Sequence, residues 1–223
     1  LAHQTPVERS TLTFIGVDES QLPGELVLGE TVPHQSMVSY FQMLYVSFIF
    51  RQYQRTKASA EKYFSYKGDI NSWSLLYIHT AQVFHSGLAS YWVFRESKDP
   101  IWAERASKAK FVMKKWADAN DWNFANKLYL LRAEEAFCYK DDESAKSLYE
   151  KAISSAREHR FINEEALACE LAGNFYMEIG QKDVSVNYFL QAHERYHEWG
   201  AIAKANALYE SIMTSMGVNA PGG

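Results

Sequence analysis

From Gln35 almost to the end of the chain, apolar residues recur three and four positions apart. That is the period of a helix with one buried face. The pattern predicts helices over 36–54, 57–66, 71–95, 100–118, 123–139, 142–159, 162–179, 182–198 and 201–215. The interruptions have chemical reasons. Gly68-Asp69 separates the second helix from the third, and Asp99-Pro100 supplies a cap followed by a proline at the first helical position. Asp141 can cap the sixth helix, while Gly180 and Gly200 can close the seventh and eighth in the left-handed conformation. Residues 1–35 read as irregular, with Thr11–Ile15 as a short extended segment and Pro23-Gly24 and Pro33 as punctuation. Residues 36–217 read as one helical domain and 218–223 as a loose tail.

The helices carry an internal repeat. Ala145-x3-Tyr149-x2-Ala152 recurs as Ser185-x3-Phe189-x2-Ala192, and twelve residues before each lies a small residue, Ala133 or Gly173. Three residues after those stand Ala136 and Tyr176. Small residues let two antiparallel helices approach, and aromatics fill the space beside them. Weaker copies begin at Ala103-x3-Ser107 and Ala60-x3-Phe64, so the anchors Ala60, Ala103, Ala145 and Ser185 step by 43, 42 and 40 residues. A tetratricopeptide repeat is about 34 residues, so these helices or their links are longer. One helix pair cannot bury its apolar face, whereas stacked pairs can. The expectation is an all-α, right-handed, tetratricopeptide-like solenoid of about four antiparallel helix pairs, with a C-terminal capping helix from Ala201 to Ser215. An irregular helical bundle is the alternative; the regular period argues against it.

The stretch Phe84–Tyr91, Trp116-Ala117, Asn123-Phe124, Ala133-Glu134, Ser147–Ile153, Ala156-Arg157-Glu158, Ala166–Ala172, Phe175-Tyr176 and Trp199-Gly200-Ala201-x-Ala203-Lys204 resembles one known family. It is similar to the tetratricopeptide-like segment of large multidomain signalling proteins. These join a kinase-like domain, an ATPase module of the AAA/STAND type, this helical segment and often a GAF and histidine-kinase output. Leu22-Pro23-Gly24 followed by the Tyr40–Phe50 aromatic helix fits the start of that segment. The resemblance covers most of residues 35–212 and is strongest over 120–207. It implies a non-catalytic interaction or regulatory arm beside an ATPase, cytoplasmic, with a protein, a peptide or neighbouring domains as partner. It implies no catalytic residue and no cofactor, because the family's chemistry lies in other domains. The chain opens on Leu1 and closes on Ala220-Pro221-Gly222-Gly223, and reads as a piece of a longer protein.

Composition agrees with helices. Apolar residues make up 47% and aromatics 15% of the 223 residues, with only 11 Gly and 5 Pro. That suits a packed core and argues against an all-β sandwich. The net charge of −4 provides no basic field for nucleic acid. The densest basic run, Arg105, Lys108, Lys110, Lys114 and Lys115, reads as a solvated helix face. The longest apolar stretch, Met37–Phe50, is 14 residues, short of the roughly 20 a membrane span needs. Cys138 and Cys169 fall inside helical apolar patterns and read as buried free thiols, in keeping with a reducing compartment.

Candidate chemistry is sparse. No GxxxxGK[ST], GxGxxG, HRD, DFG or GxSxG motif occurs. His193-Glu194-Arg195-Tyr196-His197 matches H-E-x-x-H, with Gly200 three residues beyond. Two His at i and i+4 share a helix face and can bind zinc, with Glu194 as general base. The third metzincin position is Ala203, and Glu210 stands at a spacing that matches no zincin. Packing or surface roles therefore account better for His193 and His197; a zinc hydrolase is one alternative. A small-ligand sensor with a Tyr- and Trp-lined pocket is another. His79 and His85 lie on different faces of one helix, and the adjacent pairs Glu134-Glu135 and Glu164-Glu165 point apart, at helix starts or exposed faces. The cluster Tyr40, Phe41, Tyr45, Phe48 and Phe50 is too dense for one face, so part of it should contact a neighbouring helix, domain or partner; core is the main reading and an exposed docking surface the alternative. In the repeat register, the first helix of each pair lines a concave surface, which makes Asn126, Arg132, Glu135, Asn174 and Glu178 the candidate partner contacts.

Overall fold

A computed structural model describes residues 33–66 and 76–215. The readings for 1–32, for the Gly68-Asp69 break, for a helix start at 71 and for the 218–223 tail lie outside the described residues. Among the described residues, the regular secondary structure is all helical.

The chain divides into two compact units, Leu1–Leu75 and Leu76–Gly223. In the first, α1 (Pro33–Ile49) packs against α2 (Tyr53–Ser65). Helix α1 begins at Pro33, inside the span read as irregular, because proline is well suited to the first helical turn. It stops at Ile49, short of the expected 54. Arg51 turns left-handed at φ 56°, and the Gln52 amide donates back to the Ser47 carbonyl at 2.9 Å. No Gly or Pro marks that turn, so the sequence pattern runs through it. Phe41 and Phe48 are buried in this unit while Tyr40, Tyr45 and Phe50 are half-buried.

The second unit contains α3 (Leu76–Ser97), α4 (Pro100–Ala119), α5 (Asp121–Cys138), α6 (Asp142–Glu158), α7 (Ile162–Glu178), α8 (Lys182–Glu198) and α9 (Ile202–Ser215). They pair as α3/α4, α5/α6 and α7/α8, each helix packs on the next, and α9 closes onto α8. The first helices of successive pairs, α3, α5 and α7, also touch one another. This is a helical-repeat stack.

Turn chemistry sets the period. Helices α6, α7 and α8 are each 17 residues and start at 142, 162 and 182. The left-handed residues Lys140, Arg160, Gly180 and Gly200 recur every 20 residues. After each, an amide reaches back to the helix: Asp141 to Ala136, Phe161 to Ala156, Gln181 to Tyr176 and Ala201 to Tyr196, at 2.9–3.0 Å. These are Schellman closures. Two units of 20 make the 40-residue repeat. Asp99 accepts from the Ile101 amide at 3.1 Å and Asp141 from the Ser144 amide at 3.2 Å, as the caps required. Asn120 caps α5 by accepting from the Asn123 amide at 3.3 Å, which moves its start ahead of 123.

The anchors Ala145, Tyr149, Ala152, Ser185, Phe189 and Ala192 are all buried. The Ser185 hydroxyl donates to the Gly173 carbonyl at 2.7 Å, so α7 and α8 meet backbone to side chain where the repeat places its small residues. One anchor shifts. Helix α4 buries Trp102, Ala106, Ala109 and Met113, whereas Ala103 is half-buried and Ser107 exposed. The buried pattern is Trp102-x3-Ala106-x2-Ala109, one residue earlier than read from small residues alone, because a tryptophan takes the position that Ala145 and Ser185 hold.

Candidate functional site

The five candidate contacts do not gather into one site. Asn126 and Glu135 are nine residues apart on α5, half a turn out of phase. Asn126 is buried, and its amide donates to Glu164 of α7. Glu135 pairs instead with Lys110 of α4. Arg132 is half-buried. Asn174 turns back to the Glu170 carbonyl of its own helix at 2.8 Å. Glu178 is exposed, 3.5 Å from Lys140. Of the five, Arg132, Glu135, Asn174 and Glu178 retain surface, Glu135 while paired with Lys110, and Asn126 is buried against α7.

The stack instead concentrates its polar chemistry in buried ties. Glu134, read from sequence as exposed or at a helix start, is 2% exposed on α5. One carboxylate oxygen accepts from Arg95 Nη1 of α3 at 2.7 Å and the other from Tyr149 Oη of α6 at 2.6 Å. The Arg95 guanidinium lies over the Phe137 ring, 4.1 Å from its centroid. Burial disfavours the Arg95 charge, but Glu134 beside it holds the group above its ordinary pKa. Burial, then the Glu134 charge, push the Tyr149 phenol well up.

Glu170 of α7 forms a second centre of the same kind. It is 1% exposed and accepts from Tyr196 of α8 at 2.8 Å and from Lys204 of α9 at 2.6 Å. Glu170 stands one helical turn before Asn174, the residue 40 positions after Glu134, so the two centres are separate solutions to one packing problem. Glu165, also buried, pairs with Arg157 of α6 at 2.8 Å, and Lys127 of α5 pairs with Glu164 of α7 at 2.7 Å. In both Glu134 and Glu170 each oxygen already accepts a hydrogen bond, so neither carboxylate is poised to move a proton to a substrate. Their chemistry is to lock one helix against the next. The available signal was a charged residue inside an apolar run: Glu170 sits within Ala166–Gly173, and the rest of that run is apolar.

His193 and His197 lie on α8 with ring centroids 6.4 Å apart, and His193 leans on Tyr209 of α9 at 5.7 Å. Among the described residues, no three His, Cys, Asp or Glu side chains converge as a metal site. Gly200, which extends the zincin-like pattern, is the left-handed closure of α8 at φ 88°. Cys138 and Cys169 are free, buried thiols, both pushed up to about 12 by burial. His85 is pushed down to about 4 by burial, against the pull of its bond to the Ala81 carbonyl.

A chain of aromatic contacts that the sequence did not announce links α3, α4, α5 and the start of α7. His79 meets Trp116 at 5.4 Å, Trp116 meets Phe124 at 5.6 Å, and Lys127 reaches over Phe161 at 4.8 Å. Trp122 lies against His159 at 4.0 Å and is 58% exposed.

Comparison with known proteins gives one short likeness. The Hybrid signal transduction histidine kinase G of Dictyostelium discoideum is 38% identical over 55 residues, which are 25% of this chain and 2% of that protein. No family model matches, and no solved structure does. Among the described residues, no helix is long and apolar enough to cross a membrane.

Proposed function

We propose that this chain is a non-catalytic interaction and regulatory module, the helical-repeat arm of a larger cytoplasmic signal-transducing ATPase or kinase. The observation that carries this reading is the pair of buried centres at Glu134 and Glu170. Each joins three helices from two successive repeats. A stack tied in this way resists local bending, so a load at one end reaches the other. The short likeness to a signal transduction histidine kinase supports the signalling half of the reading. Partners are proteins, peptides or neighbouring domains, met by surface side chains such as Arg132, Asn174, Glu178 and Trp122.

The test uses the longest natural polypeptide containing this chain. Replacing residues 76–215 by a flexible Gly/Ser linker is expected to change its nucleotide turnover or phosphotransfer by about tenfold, the scale of an ordinary coupling between sites. Unchanged turnover would sink the proposal. Stoichiometric zinc in the purified chain, held by His193, His197 and a third protein ligand, would replace it with a metal-dependent hydrolase.

A further inference from the structure

Helix α9 repeats the architecture of α7 but, among the described residues, leaves much of one face exposed, with only the Tyr209 ring leaning on His193 of α8. Ile202, Asn206, Tyr209 and Met213 of α9 stand 40 residues after Ile162, Ala166, Cys169 and Gly173 of α7. At steps of four, three and four, each set forms a single stripe along its helix. On α7 the C-terminal end of this stripe meets the second helix of the pair, where Gly173 touches Phe189 and accepts from Ser185, and Ala166 and Cys169 have no exposed surface. On α9, Ile202 is 44% and Tyr209 45% exposed, Asn206 is exposed and Met213 half-buried. The other face of α9, with Ala201, Ala205, Leu208 and Ile212, is buried, and α9 packs on α8. Thus, among the described residues, α9 fills the place of a first helix, with the contact to the preceding pair made and no second helix packed on its exposed stripe.

We propose that the Ile202–Met213 stripe docks an amphipathic helix bearing a variant of the second-helix pattern of this repeat, small-x3-small-x2-Ala, as a continuation of the α7/α8 interface. The repeat also dictates how that helix differs from α8. A Cβ at Gly173 would lie 2.6 Å from the Phe189 ring, and the corresponding position on α9 already carries the Met213 side chain. The occupant therefore has a small residue where α8 has Phe189. Surface area alone would not yield that requirement; the match of large against small does. The second departure from α7 is Asn206 in place of Ala166, the one polar member of the stripe. An amide side chain both donates and accepts, so Asn206 takes a polar group of either kind from the docked helix. The inference concerns the end of the stack and holds whether or not the stack serves signalling.

The probes are two fluorescent 17-residue peptides of α8, Lys182–Glu198, one unchanged and one carrying Phe189→Ala. Both are stapled between the exposed positions 183 and 187 so that helix formation does not limit binding. They are otherwise identical, so whatever they present to Asn206 cancels in the comparison. Anisotropy titrations with the 223-residue chain should show the Phe189→Ala peptide binding about tenfold or more tightly than the unchanged one. Tyr209→Arg in the protein should abolish that binding while leaving the helical circular dichroism of the chain in place. Equal binding of the two peptides, no binding of the Phe189→Ala peptide, or binding that survives Tyr209→Arg overturns the proposal. So does a concentration-dependent dimer of the native chain that Tyr209→Arg dissolves, because the stripe would then belong to a second copy.

Discussion

Gly173 offers a direct test of the repeat packing. In the middle of an exposed helix, Gly→Ala stabilises by about 1 kcal/mol, because alanine loses less backbone freedom on folding. Here the added Cβ would stand 2.6 Å from Phe189 Cδ1, 2.7 Å from Cε1 and 3.1 Å from Cγ. Ordinary contact begins near 3.4 Å. Rotating the ring about Cβ–Cγ moves Cδ1 and Cε1 but leaves Cγ at 3.1 Å, still closer than ordinary contact. Helix α8 cannot simply withdraw either, because the 2.7 Å bond from Ser185 to the Gly173 carbonyl holds the pair together. Overpacking of this kind costs about 1–3 kcal/mol. Gly173→Ala is therefore expected to destabilise by up to about 2 kcal/mol net, a melting shift of up to about 8 °C for a chain of this size.

The assay is urea unfolding followed by circular dichroism on four proteins: native, Gly173→Ala, Phe189→Leu and the double variant. Phe189→Leu alone loses apolar contact. In the double variant the smaller side chain makes room for the new methyl, so the two costs should fall short of their sum by about 1 kcal/mol. Stabilisation by Gly173→Ala, or simple additivity of the two changes, would refute the close approach of α7 and α8 and, with it, the physical reason given for the repeat.

Removing one partner of the Arg95–Glu134–Tyr149 centre, as in Glu134→Gln, should cost about 3–5 kcal/mol, because the Arg95 charge would stay buried without its counter-charge; the combined Arg95→Met, Glu134→Leu, Tyr149→Phe variant should lose less than the single change, and urea unfolding compares them. Arg160 holds φ at 60°. Arg160→Gly should therefore stabilise by up to about 1 kcal/mol, seen as a higher melting temperature, whereas Gly200→Ala should lower it. His85 is neutral in the fold down to about pH 4, whereas in the unfolded chain it takes up a proton near 6.5. The unfolded state binds more protons inside that window, so stability falls as pH drops from 6.5 towards 4. Since His85 is half-buried, about 3 kcal/mol is an upper bound. His85→Phe should flatten this part of the stability–pH curve, and an unchanged slope would contradict the burial of a neutral imidazole.

The repeat was legible because its second helices are amphipathic. In α6 and α8 the buried residues form one stripe, 145, 149, 152, 153 and 156 or 185, 189, 192 and 196, and a stripe is what periodicity detects. The first helices hide their contacts for the opposite reason. Helix α7 buries most of its length on several sides, from Glu165 to Gly173 without a break, so the pattern does not show which face meets which neighbour. A carboxylate in such a helix can be placed only by knowing which cation arrives from the next repeat. Arg95 is 39 residues from Glu134, and Lys204 is 34 residues from Glu170 on the opposite side in sequence. Neither distance equals the repeat, so no motif announces the pairing. The turns divide in the same way: Gly180 and Gly200 declare themselves, whereas Lys98, Lys140 and Arg160 adopt the same left-handed geometry without a residue preference to mark it. Once two glycines 20 residues apart set the register, the counterparts at 160 and 140 follow by subtraction. A short period recovered from its clearest copies thus locates strain at residues whose own chemistry gives no hint of it.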